Sequence, residues 1–141
     1  MPGMMDTILN LGLNEEVVKG LSEITQNERF ALDSYRRFIQ MYSDVVMGLA
    51  KSRFEEIIDK MKEEKNIKYD LEFDAEDFKV MIKKFKEFYK QELNEEFPED
   101  PKVQLFGAIN AVFRSWENPR AQYYRKLNGI PSSWGTAVNV Q

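Results

Sequence analysis

The stretch NERFALDSYRRFIQMYSDVVMGL, residues 27–49, places this chain among helical proteins. Ala31, Tyr35, Phe38, Tyr42, Val45 and Leu49 recur at alternating spacings of four and three, which is one apolar stripe along an α-helix. Asn27 stands ahead of it as an N-cap, a residue type whose side chain accepts from a first-turn N–H. The same reading extends outward. Ser52 followed by Glu55 has the spacing of a capping box, opening a helix with Phe54, Ile57, Ile58 and Met61 on one face. Asp74 caps a third helix that turns Phe78, Met81, Ile82, Phe85 and Tyr89 inward. Asp100-Pro101 and Asn118-Pro119 each set a cap residue before proline, which is harmless at the first helical position. They predict helices over 101–116 and 119–127, the first with Ile109, Phe113 and Trp116 at core spacing. A shorter helix follows Asn14. Residues 63–70 and 94–99 are polar, break the periodicity and read as connections.

Strand signal is confined to residues 136–141, where Ala137, Asn139 and Gln141 alternate with Val138 and Val140. A lone strand has no ladder partner for its N–H and C=O groups, so an orphan strand near the C-terminus implies neighbours from elsewhere.

Composition narrows the function classes. A chain of 141 residues with 43% hydrophobic content is one modest domain able to bury a core. Its formal net charge of -4 argues against nucleic acid, because neutralising phosphates needs a clustered excess of Lys and Arg. The basic residues are instead interleaved with acids, as in KEEK and KKFKEFYKQE, the pattern of solvated helix faces. No apolar run approaches the roughly 20 residues that span a bilayer, and no basic-then-apolar leader opens the chain. The Phe-rich run FKVMIKKFKEFYK reads as a core stripe, not a membrane-seeking face. The absence of cysteine removes disulfides, thiolate metal sites and cysteine nucleophiles, and fits a cytoplasmic setting. Carboxylates cluster in NEEV, FEEI, MKEE and NEEFPED, yet none stands at ligand spacing from a second residue type, so no metal site is read.

Four stretches carry a family resemblance: MPGMMDTILNLGLN (1–14), RFALDSYRRFIQMYSDVVMG (29–48), VFRSWENPRAQYYRKLNGIP (112–131) and WGTAVNVQ (134–141). In that order they resemble the pyruvate, phosphate dikinase family over nearly the whole chain. The resemblance implies a mainly α fold: a helical bundle subdomain, residues 14–97, inserted in an ATP-grasp-type nucleotide-binding domain. Residues 1–13 are then a phosphate-facing loop, and 98–141 return helices and strand of the parent domain. It also implies an enzyme that turns ATP, phosphate and pyruvate into AMP, diphosphate and phosphoenolpyruvate through a phosphohistidine, with ATP, Mg²⁺ and a monovalent cation. This chain has no histidine, so it is expected to be a piece of that enzyme, inactive alone and with none of those ligands bound. The expected partners are the phosphohistidine domain and the rest of the nucleotide-binding domain, in a homodimeric cytoplasmic enzyme. Phosphoenolpyruvate synthase shares Gly-x-x-Asp-Thr in the opening loop and uses water as second acceptor. The continuous opening match favours the phosphate user. An autonomous helical interaction module is the alternative from another class, and it requires both ends to be finished by caps or polar tails.

Site residues follow from both readings. Gly3 allows close backbone approach to an anion and Thr7 offers a hydroxyl donor, although one glycine and one threonine also describe an ordinary turn. By resemblance Gly3 and Thr7 are phosphate contacts, Met4, Met5 and Asp6 shape the loop, and Gln141 borders the nucleotide. Arg120 sits in a helix's first turn, where a cation opposes the helix dipole and benefits from an acidic partner. The resemblance makes it a docking residue for the phosphohistidine domain. Arg36 or Arg37 is a second docking candidate, and Asp33, four residues before Arg37, supplies an ordinary surface ion pair instead.

Overall fold

The computed structural model describes residues 3–141, so Met1 and Pro2 of the opening motif lie outside the described residues. The α-helices are α1 (Glu15–Thr25), α2 (Glu28–Met41), α3 (Lys51–Lys65), α4 (Ala75–Leu93), α5 (Pro101–Ser115) and α6 (Pro119–Leu127). Short 3₁₀ turns occupy Asp70–Glu72 and Ser132–Trp134. Most of the helix starts are those the sequence announces. Asn14 accepts from the Val17 N–H, Asn27 from Phe30, and Asp100 from Lys102. Asp74 and Asp77 form a reciprocal capping box at the head of α4. The Ser52–Glu55 box does not form. α3 begins two residues earlier than that box implies, at Lys51 behind Ala50, which leaves Ser52 inside the first turn, where Glu55 pairs with Lys51 at 3.2 Å.

The predicted helix over 27–49 is two pieces. α2 passes at Tyr42–Val46 into a π-helical turn, with the Met47 N–H reaching back five residues to the Tyr42 carbonyl at 3.3 Å. The wider turn shifts the register, so Val46 is buried and Val45 only half-buried, the reverse of the stripe read from the sequence. Gly48, at φ +76, ends the segment. Arg114 of α5 donates to the Val46 carbonyl at 2.7 Å, which satisfies one helix-end acceptor.

α2 is the central helix, packing against α1, α3 and α4, while α3 also packs on α4 and α5 on the π turn. Aromatic rings dominate the interior. Phe54 of α3 meets Phe85 and Phe88 of α4 edge-on, with centroids 4.9 and 5.1 Å apart. Phe97, in the α4–α5 connection, sits among Phe38, Tyr42 and Tyr89 at 5.4 to 5.9 Å. Each such pair adds about 0.5–1.5 kcal/mol beyond area burial, so Phe97 pins an otherwise polar connection to the core. Glu99, two residues on, accepts from the Tyr35 hydroxyl and Lys86 at 2.6 Å each and from the Glu15 N–H at 3.1 Å. It thereby ties α1, α2 and α4 together.

Two expectations are corrected. In α5 the buried stripe is Gln104, Ala108, Ala111 and Ser115, whereas Phe113 is 48% exposed and Ile109 half-buried. Trp116 is buried, as its spacing suggests. At 136–141 no strand forms among the described residues, because the chain offers no second strand to complete a ladder. That stretch is irregular instead, and Val140 is 64% exposed.

Gly107 has a packing reason to be glycine. A Cβ there would lie 2.3 Å from the Tyr42 hydroxyl oxygen and 3.2 Å from a Val46 methyl. Because Phe38 and Phe97 hold the Tyr42 ring, Gly107→Ala is expected to cost about 1–3 kcal/mol despite alanine's better helix propensity. Thermal melts check this: Tyr42→Phe in the Gly107→Ala background should recover part of the lost Tm, and simple additivity of the two changes would refute the clash.

The Glu99 node predicts acid lability. Burial pushes its carboxyl up, but Lys86, the Tyr35 hydroxyl and the Glu15 N–H outweigh burial and hold it below the usual glutamate range. A depressed folded pKa stabilises fully above the unfolded value, about 4.3, and that contribution disappears as pH falls through the folded value. Tm should therefore hold down to about pH 5 and drop below pH 4. Glu99→Gln should start lower at neutral pH and fall less steeply, and parallel curves would refute the assignment.

Candidate functional site

The opening segment and the C-terminal stretch meet. Residues 5–11 form one wall of a cleft of about 600 Å³, residues 137–141 line the other side, and Leu105, Ala108, Ile109 and Val112 of α5 make its floor. Thr136 Oγ1 lies 3.5 Å from the Met5 sulfur, where the two stretches touch. Met5, Asp6, Thr7 and Gln141, distant in sequence, thus line one cleft. Gly3 and Met4 are outside its lining. Gly3 is exposed at φ +71, with open space where a Cβ would be, so an approaching group would meet bare backbone. Thr7 is exposed, leaving its hydroxyl accessible.

The segment owes its position to α5. The Asp6 N–H donates to Ser115 Oγ at 3.0 Å, and Ser115 itself donates to the Val112 carbonyl at 2.6 Å. Gln104, fully buried, accepts from the Gly12 N–H at 2.9 Å and donates to the Leu13 and Pro98 carbonyls at 2.9 and 2.7 Å. The Leu9 N–H points at the Met41 sulfur, 3.2 Å away. Asn118 heads α6 without a side-chain cap bond; its amide faces the Asp6 carboxylate at 3.5 Å. None of these long-range bonds is legible in the sequence. Ser115 and Gln104 carry a weak signal only, as polar residues at the two ends of a 4-3-4 spaced stripe with alanines between.

Electrostatically the cleft is unusual for an anion site. Asp6 is the one ionisable residue in its lining, and no Lys or Arg joins it among the described residues. Asp44, on the π turn, feels the Asp6 charge; burial chiefly, and Asp6 in part, push its carboxyl up against the pull of Lys51. Among the described residues no three His, Cys, Asp or Glu side chains converge. Nor is any described helix long and apolar enough to cross a membrane.

The arginines separate clearly. Arg36 is buried, pairing with Asp33 at 2.8 Å and Asp70 at 3.3 Å and lying over the Phe78 ring. It is a structural cation. Arg37 is exposed and pairs with Asp33 at 3.1 Å, the ordinary surface contact its spacing suggests. Arg120 is exposed at the second position of α6 and makes no ion pair among the described residues. Arg125, which sequence reasoning passed over, is buried against the Trp116 ring at 4.0 Å and donates to the Trp116 carbonyl, fixing the α5–α6 corner that presents Arg120.

Comparison with known proteins gives this arrangement a family. The model described as "Pyruvate phosphate dikinase, AMP/ATP-binding domain" matches residues 1–141. The chain is 64% identical over its whole length to pyruvate, phosphate dikinase of Clostridium symbiosum and 55% identical to that of Rhizobium meliloti (strain 1021), spanning 16% of each. It is 52% identical to the chloroplastic pyruvate, phosphate dikinase 1 of Arabidopsis thaliana, spanning 14% of that protein. Matched from end to end by that model and by these relatives, the chain belongs to the pyruvate phosphate dikinase AMP/ATP-binding domain family.

Proposed function

We propose that this chain forms one wall of the ATP site of a pyruvate, phosphate dikinase, with the opening segment as its phosphate-facing element. The observation that carries the proposal is the cleft joining Thr7 and Asp6 to Gln141, because residues 134 apart in sequence meet on one surface next to an accessible glycine backbone. In this reading Gly3 offers backbone N–H approach, Thr7 a hydroxyl donor, Met4, Met5 and Asp6 the loop's shape, and Gln141 a contact beside the nucleotide. Residues 14–97 are the helical subdomain, and 1–13 with 98–141 belong to an ATP-grasp-type parent domain that supplies strand partners for 136–141. Arg120 meets the phosphohistidine domain; Arg37, already engaged by Asp33, is the weaker docking candidate. The whole enzyme is a homodimeric cytoplasmic phosphotransferase acting on ATP, phosphate and pyruvate.

The physics assigns this chain positioning, not charge neutralisation. Phosphoryl transfer needs several cations converging on the phosphates, and among the described residues the cleft's lining holds no Lys or Arg. The basic residues and the Mg²⁺ ligands therefore come from other parts of the enzyme. The chain by itself is expected to bind Mg-ATP negligibly and to catalyse nothing. Isothermal titration of the chain checks this, and micromolar Mg-ATP binding would contradict it.

Function itself is tested in a full-length dikinase, made by exchanging this chain for the matching residues of the Clostridium symbiosum enzyme. The hybrid should form AMP from ATP and phosphate in a single turnover. Thr7→Ala should slow that step about 10- to 100-fold through loss of one phosphate donor. Arg120→Glu should leave ATP binding intact and slow phosphorylation of the histidine. An inactive hybrid, or one indifferent to both Thr7→Ala and Gly3→Ala, would end the proposal.

A further inference from the structure

We propose that Ser115, seconded by Gln104, is a positioning residue that sets where the phosphate-facing segment sits. The inference rests on the reading of that segment given above. It starts from an oddity of α5: the helix buries two polar side chains and two alanines while leaving Val103, Phe106 and Phe113 about half or more exposed. Burying polar groups costs free energy unless each finds partners, so their placement asks for a reason.

Every partner they find outside their own helix lies on the opening segment or on the connection just before α5. Ser115 and Gln104 stand eleven residues apart, about 16 Å along the axis. The segment runs antiparallel to α5, tied at Asp6 by Ser115 and at Gly12 and Leu13 by Gln104. Between the ties stand two buried alanines, Ala108 and Ala111.

The geometry at Ser115 is specific. Its hydroxyl proton is committed to the Val112 carbonyl, which aims an oxygen lone pair at the Asp6 N–H. Asp6 precedes Thr7 directly and follows Gly3 by three residues, so this single bond fixes the backbone between the two phosphate contacts. A reacting phosphate displaced by 1 Å from its attack geometry loses about 100-fold in rate, which is the scale on which such a bond matters. Ser115 touches no nucleotide in this scheme; it acts through Asp6 and Thr7.

The experiment uses the full-length hybrid dikinase, Mg-ATP and phosphate, and single-turnover AMP formation. Ser115→Ala should lower kcat by about 10- to 100-fold with a smaller change in KM for ATP, since loop placement matters most in the transition state. Ser115→Thr, which keeps the hydroxyl, should restore most of the rate. A Ser115→Ala enzyme with unchanged kcat beside a damaged Thr7→Ala enzyme overturns the positioning role alone. Silence of Thr7→Ala, Gly3→Ala and Ser115→Ala together overturns the underlying reading, and this inference with it. Should Ser115→Ala not fold, amide hydrogen exchange on the unmodified chain decides. Protected Asp6 and Gly12 N–H groups support the two ties, and exchange at the rate of the exposed Thr7 amide refutes them.

Discussion

The side chain of Gln104 is the contact on which the junction between the opening segment and the α4–α5 connection depends. It is wholly buried, and its amide serves the Gly12 N–H and the Leu13 and Pro98 carbonyls at once. Three backbone groups from two loops are satisfied by one residue. Leaving any of them buried and unpaired costs about 1–3 kcal/mol, so the position tolerates little other than an amide of this length. Through it, the entry to the helical bundle and its exit at Pro98 are held side by side.

The bundle is the rigid body to which that junction is attached. Its interior is aromatic, with Phe54 against Phe85 and Phe88, and Phe97 wedged among Phe38, Tyr42 and Tyr89. Ring-edge packing of this kind resists small displacements, because interiors are close-packed and a shifted ring finds no vacant space. Glu99 adds a polar staple on the same connection, joining Tyr35, Lys86 and the first turn of α1. The opening segment therefore leaves a fixed platform, while Thr7, Leu9 and Asn10 of its cleft side stay exposed. In the reading proposed above, that combination suits a substrate-facing element, because a mobile support would surrender the positional precision that phosphoryl transfer demands.

Among the described residues the cleft lining holds no Lys or Arg and Asp6 is its one ionisable side chain, which in the reading proposed above divides the labour. A wall that only positions must be completed by walls that neutralise, and the chain spans just 16% of its Clostridium symbiosum relative. The exposed Arg120 at the head of α6 fits the same division. It is presented by a corner locked through the buried Arg125 and Trp116, and it is not consumed by an internal ion pair among the described residues.

Much of the helical architecture was legible in the residues alone, because capping is local chemistry. Asn14, Asn27, Asp74 and Asp100 act within three residues of themselves, and each caps as its type and spacing indicate. Ser52 misled because the helix starts already at Lys51, two residues before the box implies, which nothing in the box pattern forbids. The opening loop's residues were likewise identifiable as a family signature. Two things only the tertiary structure decided. One is the choice of α5's buried face, where hydrophobic periodicity pointed to Phe113 but hydrogen-bond partners on the opening segment drew in Gln104 and Ser115. The other is the π turn at Tyr42–Val46, which swaps Val46 for Val45 in the core so that α5 can close on Gly107. Sequence determines which groups need partners; only the folded chain determines which partners are within reach, since those contacts join residues about a hundred positions apart.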